Sequence, residues 1–446
     1  MAHKHDIPSL DESFEFSPAL RKKLILTALL GVVLVALGAF LIHKGWAPGH
    51  GDHHEVVHHE AHAADAHAEE HGGGHHEAPT LANRLVANLW MNSVYFIGIA
   101  LVGLFFIAYN YVAKAGWQAS MKRVAEAFPA FALVPSVIML VLFLVPSTRH
   151  MIFHWTHEGI TDPASPSYDA IIATKSWFLN YPFFLLRMVI YFVIWYFLWI
   201  QIRKFSLQED QYGGLDYYYK SRKYSKIFLL FFAVTSSTAA WDLTMSIDTH
   251  WFSTMFGWYH LSSWHVAGLS AMMLAIIFLK ENGYLKAVNM STIQDLGKLI
   301  FGFSIFWTYT WFSQYLLIYY ANLPEETIYF QERTGGYGGR YLAPFLLSLV
   351  LNFVFPFLIL MARNSKRNFT LLKLACVAVL VGHWFDFYQM IMPGVAKDQG
   401  GIGLIEVGTT LAFASVFIYF VANQLTKANL YPKNHPFLGE STHHDI

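Results

Sequence analysis

Cysteine and charge are what this chain has least of. Its 446 residues hold one cysteine, Cys376, set in an apolar run. A single thiol excludes an intrachain disulfide, a cysteine-ligated iron–sulfur cluster and a covalently attached c-type haem, each of which needs more. Only 13% of the residues are charged, against about 25% in a soluble domain. The formal net charge is zero, which argues against nucleic acid as a partner. Apolar residues fill the space: 55% are hydrophobic and 17% aromatic.

The apolar residues are gathered into runs. About 20 apolar residues cross a bilayer as a helix, and ten segments qualify, at roughly 24–43, 88–112, 128–149, 181–203, 225–247, 256–280, 296–320, 341–362, 371–391 and 404–424. The expected fold class is therefore all-α integral membrane with ten transmembrane helices. The first run is too long in its apolar core for a cleaved signal peptide. Basic residues alternate with the runs: Arg21, Lys22 and Lys23 precede the first, and Lys122, Arg123, Arg203, Lys204, Lys220, Arg363, Lys366, Lys427 and Lys433 fall in the same set of connections. The other connections hold Glu158, Asp162, Asp169, Asp248, Glu325 and Glu326 with few cations. The positive-inside rule then puts both termini in the cytoplasm.

The expected organisation is a cytoplasmic segment over 1–23, the first helix, a periplasmic loop over 44–87, four-helix bundles over 88–247 and 256–391, a tenth helix over 404–424 and a cytoplasmic tail over 425–446. Phe184–Val193 (FLLRMVIYFV) aligns without gaps on Phe345–Val354 (FLLSLVLNFV). That echo relates the fourth run to the eighth and suggests two tandem four-helix units flanked by the first and tenth helices. The segment from His43 to His76 is a His/Ala/Glu/Gly tract with eleven histidines. It reads as a metal buffer or docking tail, or as a solvated loop; its composition and lack of regular ligand spacing favour the loop.

Against this apolar background the buried polar residues stand out, because carboxylates and imidazoles are expensive inside a bilayer. The stretch Thr235–Gly268 carries Asp242, Asp248, His250, His260 and His265. At a rise of about 1.5 Å per residue, Asp242, His260 and Asp386 lie at similar shallow depth, near 7 Å for Asp242, and His265 and His383 both lie about 12 Å down. His383 and Asp386 are three apart and share a helix face. Thr235, Thr238 and Asp242 line one face of the fifth run, and Ser304 and Thr308 one face of the seventh. Three readings compete: a proton route of carboxylates, imidazoles and hydroxyls; a haem held between His265 and His383; and polar pairs that glue helices together. The density of titratable groups favours the route. Arg187, the one charge of the fourth run, either snorkels to the headgroups, partners a carboxylate, or meets a polar ligand.

Several long motifs carry a family resemblance: TSSTAAWDLTMSIDTHWFSTMFGWY, HWTHEGITDPASPSYD, LGKLIFGFSIFWTYTWFSQYLLIYYANLPEE and LNFVFPFLILM. Over residues 85–425 the chain resembles the NrfD-like membrane subunits of bacterial alternative complex III, a quinol:electron-acceptor oxidoreductase, and more distantly the polysulfide reductase membrane subunit. The resemblance is to the second large NrfD-like subunit of that complex. It implies two four-helix bundles with two flanking helices, no redox cofactor or metal in the chain, and no catalytic residue of its own. It implies as partners a multihaem c-type cytochrome, an iron–sulfur subunit, a sister NrfD-like subunit, small membrane anchors and a terminal oxidase. Haems and iron–sulfur clusters would sit in those partners, with quinol oxidised chiefly at the sister subunit. Asp242, Asp248, His260, His265, His383, Asp386, Thr235, Thr238, Ser304 and Thr308 have the chemistry for a proton path here. A quinone or quinol headgroup would want Arg187 and His150. The competing classes are direct quinone binding and a proton-coupled secondary transporter; Pro146, Pro182, Pro356 and Gly302 lie close to run ends, which speaks against the broken helices of transporters.

Overall fold

The computed structural model describes residues 10–45 and 80–445. The histidines of the tract beyond His43 lie outside the described residues. Helices carry the described chain, and their long members are α1 (Pro18–His43), α2 (Leu81–Ala113), α3 (Ala119–Leu144), α4 (Tyr181–Tyr212), α5 (Asp216–Leu243), α6 (Phe256–Glu281) and α7 (Met290–Ala321). A short helix α8 (Pro324–Thr334) follows, then α9 (Leu342–Leu360), α10 (Phe369–Ala396) and α11 (Leu404–Leu425). Nine helices of the described residues are long and apolar enough to cross a membrane; α7 is 32 residues long but more polar. This is a multi-pass, all-α membrane protein.

Every apolar run lies mostly within a helix, but several helices outrun their apolar cores. The polar stretches KFSLQEDQY and DYYYKSRKY continue α4 and begin α5, because Lys, Glu, Gln and Arg are good helix formers once water can solvate them. Gly213 and Gly214 turn the chain between them at φ of 68° and 76°, in the left-handed region that favours glycine. Side-chain caps fix the other ends: Asn180 accepts from the Phe183 N–H, Asn289 from Thr292 and Asn368 from Thr370. The third run is not one helix. The chain enters it through short 3₁₀ and α turns over Ala119–Phe131, and breaks at Val145, where Pro146 opens a separate turn.

The axis of the molecule is α2. It is buried along most of its length and packs against α3, α5, α6, α10 and α11. The sequence assigns it to the first bundle; the structure places it between the two units, because apolar and small residues cover its whole circumference. Helix α1 packs chiefly on α11. Gly31 and Gly408 face each other there so closely that a Cβ on either would lie 2.6 Å from the other's carbonyl oxygen. The outer side of α1 exposes Ile25, Leu29, Val32, Val33 and Phe40, as a lipid-facing helix would. Within α9 the run Val350–Val354 is π-helical, one residue before Phe355 and Pro356. The interruption near Pro356 is therefore in the middle of its helix and not at an end, as the proline spacing suggests; π-turns and proline kinks occur together because both disturb the i→i−4 ladder.

Residues 10–17 are tied to the far end of the chain. Ser13 bridges Asn429, the Leu430 N–H donates to the Glu12 carbonyl at 2.7 Å, and Glu12 Oε2 accepts from the Leu285 N–H at 2.7 Å. Both ends of the described chain therefore lie on one face.

Candidate functional site

Two buried carboxylates define the interior, and they are handled differently. Asp242, fully buried on α5, receives Arg187 Nε on Oδ2 and Nη2 on Oδ1, each at 2.8 Å, in a two-pronged ion pair. Tyr191, one turn further along α4, donates its hydroxyl to Oδ2 at 2.8 Å. The guanidinium also donates to the Phe178 carbonyl at 3.0 Å and stands 3.8 Å over the Phe178 ring and 4.3 Å over Phe183. Of the roles open to Arg187 in the sequence, the structure selects carboxylate partner.

Asp386, buried on α10, has no guanidinium or ammonium in ion-pair contact among the described residues. Its Oδ1 accepts from the Tyr259 hydroxyl, and its Oδ2 accepts from Ser263 Oγ at 2.6 Å and Trp307 Nε1 at 2.9 Å. One helical turn back, His383 Nδ1 stands 3.6 Å from Oδ2. Neither His383 nitrogen makes a hydrogen bond. The imidazole is thus the neighbouring base to which a proton on Asp386 can pass, while hydroxyl and indole donors hold the carboxylate form in place.

In the register of the aligned segments Ser348 stands where Arg187 stands and Asn352 where Tyr191 stands. Ser348 donates to the Phe345 carbonyl at 2.8 Å, and neither polar atom of Asn352 has a partner. Gly382 makes room for that amide: a Cβ there would lie 2.2 Å from Asn352 Oδ1.

The remaining candidates divide. His260 meets Thr244 Oγ1 through Nε2 at 3.2 Å and packs edge-on against Trp264 and Phe387. His265 is enclosed by Phe105, Tyr109 and Phe303 with both ring nitrogens unpartnered. Phe303 packs edge-to-face with His265 at 4.3 Å, and Trp307 with His383 at 5.4 Å. Thr235 donates to Phe231 O at 2.9 Å, Thr238 to Val234 O at 3.3 Å and Thr308 to Ser304 O at 2.9 Å. These hydroxyls donate back to their own helices, while Thr235 Oγ1 also accepts from Trp195 Nε1 of α4 at 3.0 Å. Ser304 Oγ is buried without a partner. His150 meets Thr156 at 3.1 Å in the loop after α3 and makes no bond to Arg187.

The depth ladder also needs correction. It groups Asp242 with His260 and Asp386, yet the hydrogen bonds around Asp242 come from α4 and those around Asp386 from α6 and α7. Depth along a helix says nothing about azimuth, and α2 stands between the units. Asp248 belongs to a third centre. Arg333, on α8, donates to its Oδ2 at 2.8 Å, to the Gln389 carbonyl at 2.9 Å and to Tyr329 O at 2.7 Å, and lies flat on the Tyr329 ring at 3.3 Å. Trp251 stacks on the same ring at 3.8 Å. Burial pushes the Tyr329 hydroxyl above its ordinary range; the Arg333 charge opposes this, and the charges of Asp248, Asp386 and Glu332 add to it. Tyr329 therefore lies within electrostatic reach of both Asp386 and Asp248. Near the same face His250 binds Asp169 at 2.6 Å, and Arg84 grips the buried Glu406 with two bonds of 2.7 Å.

Three residues of consequence escape the sequence: Arg333, Arg84 and Glu406. Each lies close to a helix end and pairs across 85 or 322 residues, so no local spacing marks it. Tyr259 and Trp307 escape because aromatics are abundant here. Fold and site together describe a multi-pass helical membrane protein with separate buried acid centres. No family model matches the chain, and no curated protein matches it.

Proposed function

We propose that this chain is an integral membrane subunit of a respiratory quinol-oxidising complex, the second NrfD-like subunit of an alternative complex III, and that it conducts protons and scaffolds its partners. The observation that carries the proton role is Asp386 with His383: an acid in the membrane interior, ringed by hydroxyl and indole donors, with an imidazole and no fixed cation. A carboxylate locked to arginine, as Asp242 is, holds its charge and makes a poor carrier. The route therefore runs through Asp386, His383 and Tyr259 toward Tyr329 and the Asp248–Arg333 pair, with Asp242 as a structural anchor. Electrons would travel in the multihaem cytochrome and iron–sulfur partners, since Cys376 alone ligates no cluster.

Ten crossings with both termini cytoplasmic fit this reading. Pairing of Ser13 with Asn429 requires an even number of crossings between them, which supports counting α7 as the tenth. A quinone at Arg187 would have to compete with the two-pronged bond to Asp242, which counts against that alternative.

The test is Asp386→Asn in the complex purified through a tag on this chain and reconstituted in vesicles. The rate of proton translocation should fall about 10²-fold or more, the scale on which a positioned proton-transfer group acts, while Asp242→Asn affects stability first. Unchanged translocation in Asp386→Asn, or recovery of the chain free of any haem-bearing partner, would overturn the reading.

A further inference from the structure

A further buried acid centre lies on the opposite face, beneath residues 434–441. Three cations and three carboxylates meet there: Lys122, Arg123 and Arg203 with Glu126, Glu209 and Asp210. They are not equally matched. Glu126 takes Arg123 at 2.6 Å, Arg203 at 3.0 Å and the Ser206 hydroxyl at 2.5 Å, with Lys122 at 3.4 Å. Asp210 takes the other arm of Arg123. Glu209 is fully buried, and neither of its oxygens accepts a hydrogen bond; among the described residues the one cation within 4 Å is Lys122, its Nζ at 3.5 Å and already bonded to the Tyr111 hydroxyl at 2.5 Å. A buried carboxylate left this bare costs several kcal/mol when ionised. A proton removes that cost.

The C-terminal segment covers the site. Asn434 donates to the Glu209 and Asp210 carbonyls at 3.1 and 2.9 Å, the His435 ring packs on Tyr111 and Tyr218, and Ser441 donates to the Trp117 carbonyl at 2.7 Å. The groups around Glu209 are thus Lys122, Arg123 and Glu126 from α3, Tyr111 from α2, Asp210 from its own helix, Tyr218 from α5 and His435 from the tail. Further in along α2, the Tyr109 hydroxyl is buried without a partner, and its ring lies 5.9 Å from that of His265, whose nitrogens are also unpartnered. Unsatisfied polar groups therefore continue from the Glu209 level toward the interior.

We propose that Glu209 is a second proton-binding site, on the face that carries both chain ends, with residues 434–441 as its cover. The assignment as the loading end of the route rests on the proton role of Asp386; the binding site itself does not.

Infrared difference spectroscopy of the full chain in lipid vesicles, stepped in pH, tests it. A protonated-carboxyl band should be present that Glu209→Gln removes and Glu126→Gln leaves. Lys122→Met should carry the band's disappearance upward by about one pH unit or more, because loss of the ammonium disfavours the ionised form. Asn434→Ala with His435→Ala should speed its exchange into deuterated water at least about tenfold. If Glu209→Gln leaves every band in place, or Lys122→Met does not move the transition, the site is refuted even where Asp386→Asn abolishes translocation. If Asp386→Asn has no effect while the Glu209 band behaves as stated, the site stands and the route falls.

Discussion

Replacing Arg187 by leucine isolates the first acid centre and sets a magnitude on it. The substitution leaves Asp242 fully buried with the Tyr191 hydroxyl and no countercharge. Removing one partner of such a pair costs about 3–5 kcal/mol, most of it from the stranded charge. Asp242→Asn strands the guanidinium instead, though the Phe178 carbonyl and the Phe rings soften the loss, so about 3 kcal/mol is expected. The double variant with leucine at both positions removes both charges and should fall within about 2 kcal/mol of the wild type. Asp386→Asn behaves differently. Its amide can face the Tyr259 hydroxyl, which rotates to accept, while the retained oxygen keeps Ser263 and Trp307; the cost is about 1 kcal/mol, one rearranged hydrogen bond. Unfolding of the purified chain in mixed micelles, followed by tertiary circular dichroism against denaturant, gives all four numbers. The reasoning fails if Arg187→Leu costs under about 1 kcal/mol, or if Asp386→Asn proves as damaging as Asp242→Asn.

Three further outcomes follow from packing and charge. A Cβ at Gly98 would lie 1.8 Å from the Trp264 indole, which donates to Val94 O at 2.9 Å, so Gly98→Ala should destabilise by about 2–4 kcal/mol; Gly302→Ala, with nothing within 4 Å, should be neutral or stabilising by up to about 1 kcal/mol, and equal thermal shifts would contradict this. Gly31→Val should part α1 from α11, seen as loss of cross-linking between cysteines placed at Ser13 and Asn429, whereas retained cross-linking would show that the glycine contact is dispensable. Partial burial pushes the Asp169 carboxyl up, but bonds from the Ile172 and Ile171 N–H groups and from His250 prevail and hold it below its ordinary range. Its stabilisation of the helix Ala170–Lys175 is therefore present above about pH 4 and fades as acid brings the pH down through that lowered value; amide exchange at Ile171 and Ile172 should quicken on acidification in the wild type, and no acceleration would exclude the cap.

The apolar runs are legible because long stretches of Leu, Ile, Val and Phe form the nine helices of the described residues that are apolar enough to cross a membrane. Helix ends were not, since 204–212 and 216–224 are polar and become helix only because they extend α4 and α5. The acid residues were legible as types: Asp242, Asp386 and His383 are conspicuous where charge is scarce. Their partners were not. Arg187 is 55 residues from Asp242, and Tyr259 is 127 from Asp386, so only packing could pair them. Helical spacing puts the hydroxyls in rows, but it does not reveal that Thr235 and Thr308 turn their donors back to their own backbones. Glu209 hid in a run of ordinary polar helix.

The bond between Glu12 and residues 429–430 also bears on the order of assembly. Some 417 residues separate the two strands of that contact, and at about 5–20 residues per second a ribosome needs roughly 20–80 s to deliver the second after the first. Helix α1 spends that interval in the bilayer without α11, its chief neighbour. The contact of residues 12–13 with 429–430 can thus form only once α11 has been made, so the packing of α1 on α11 is settled late in synthesis.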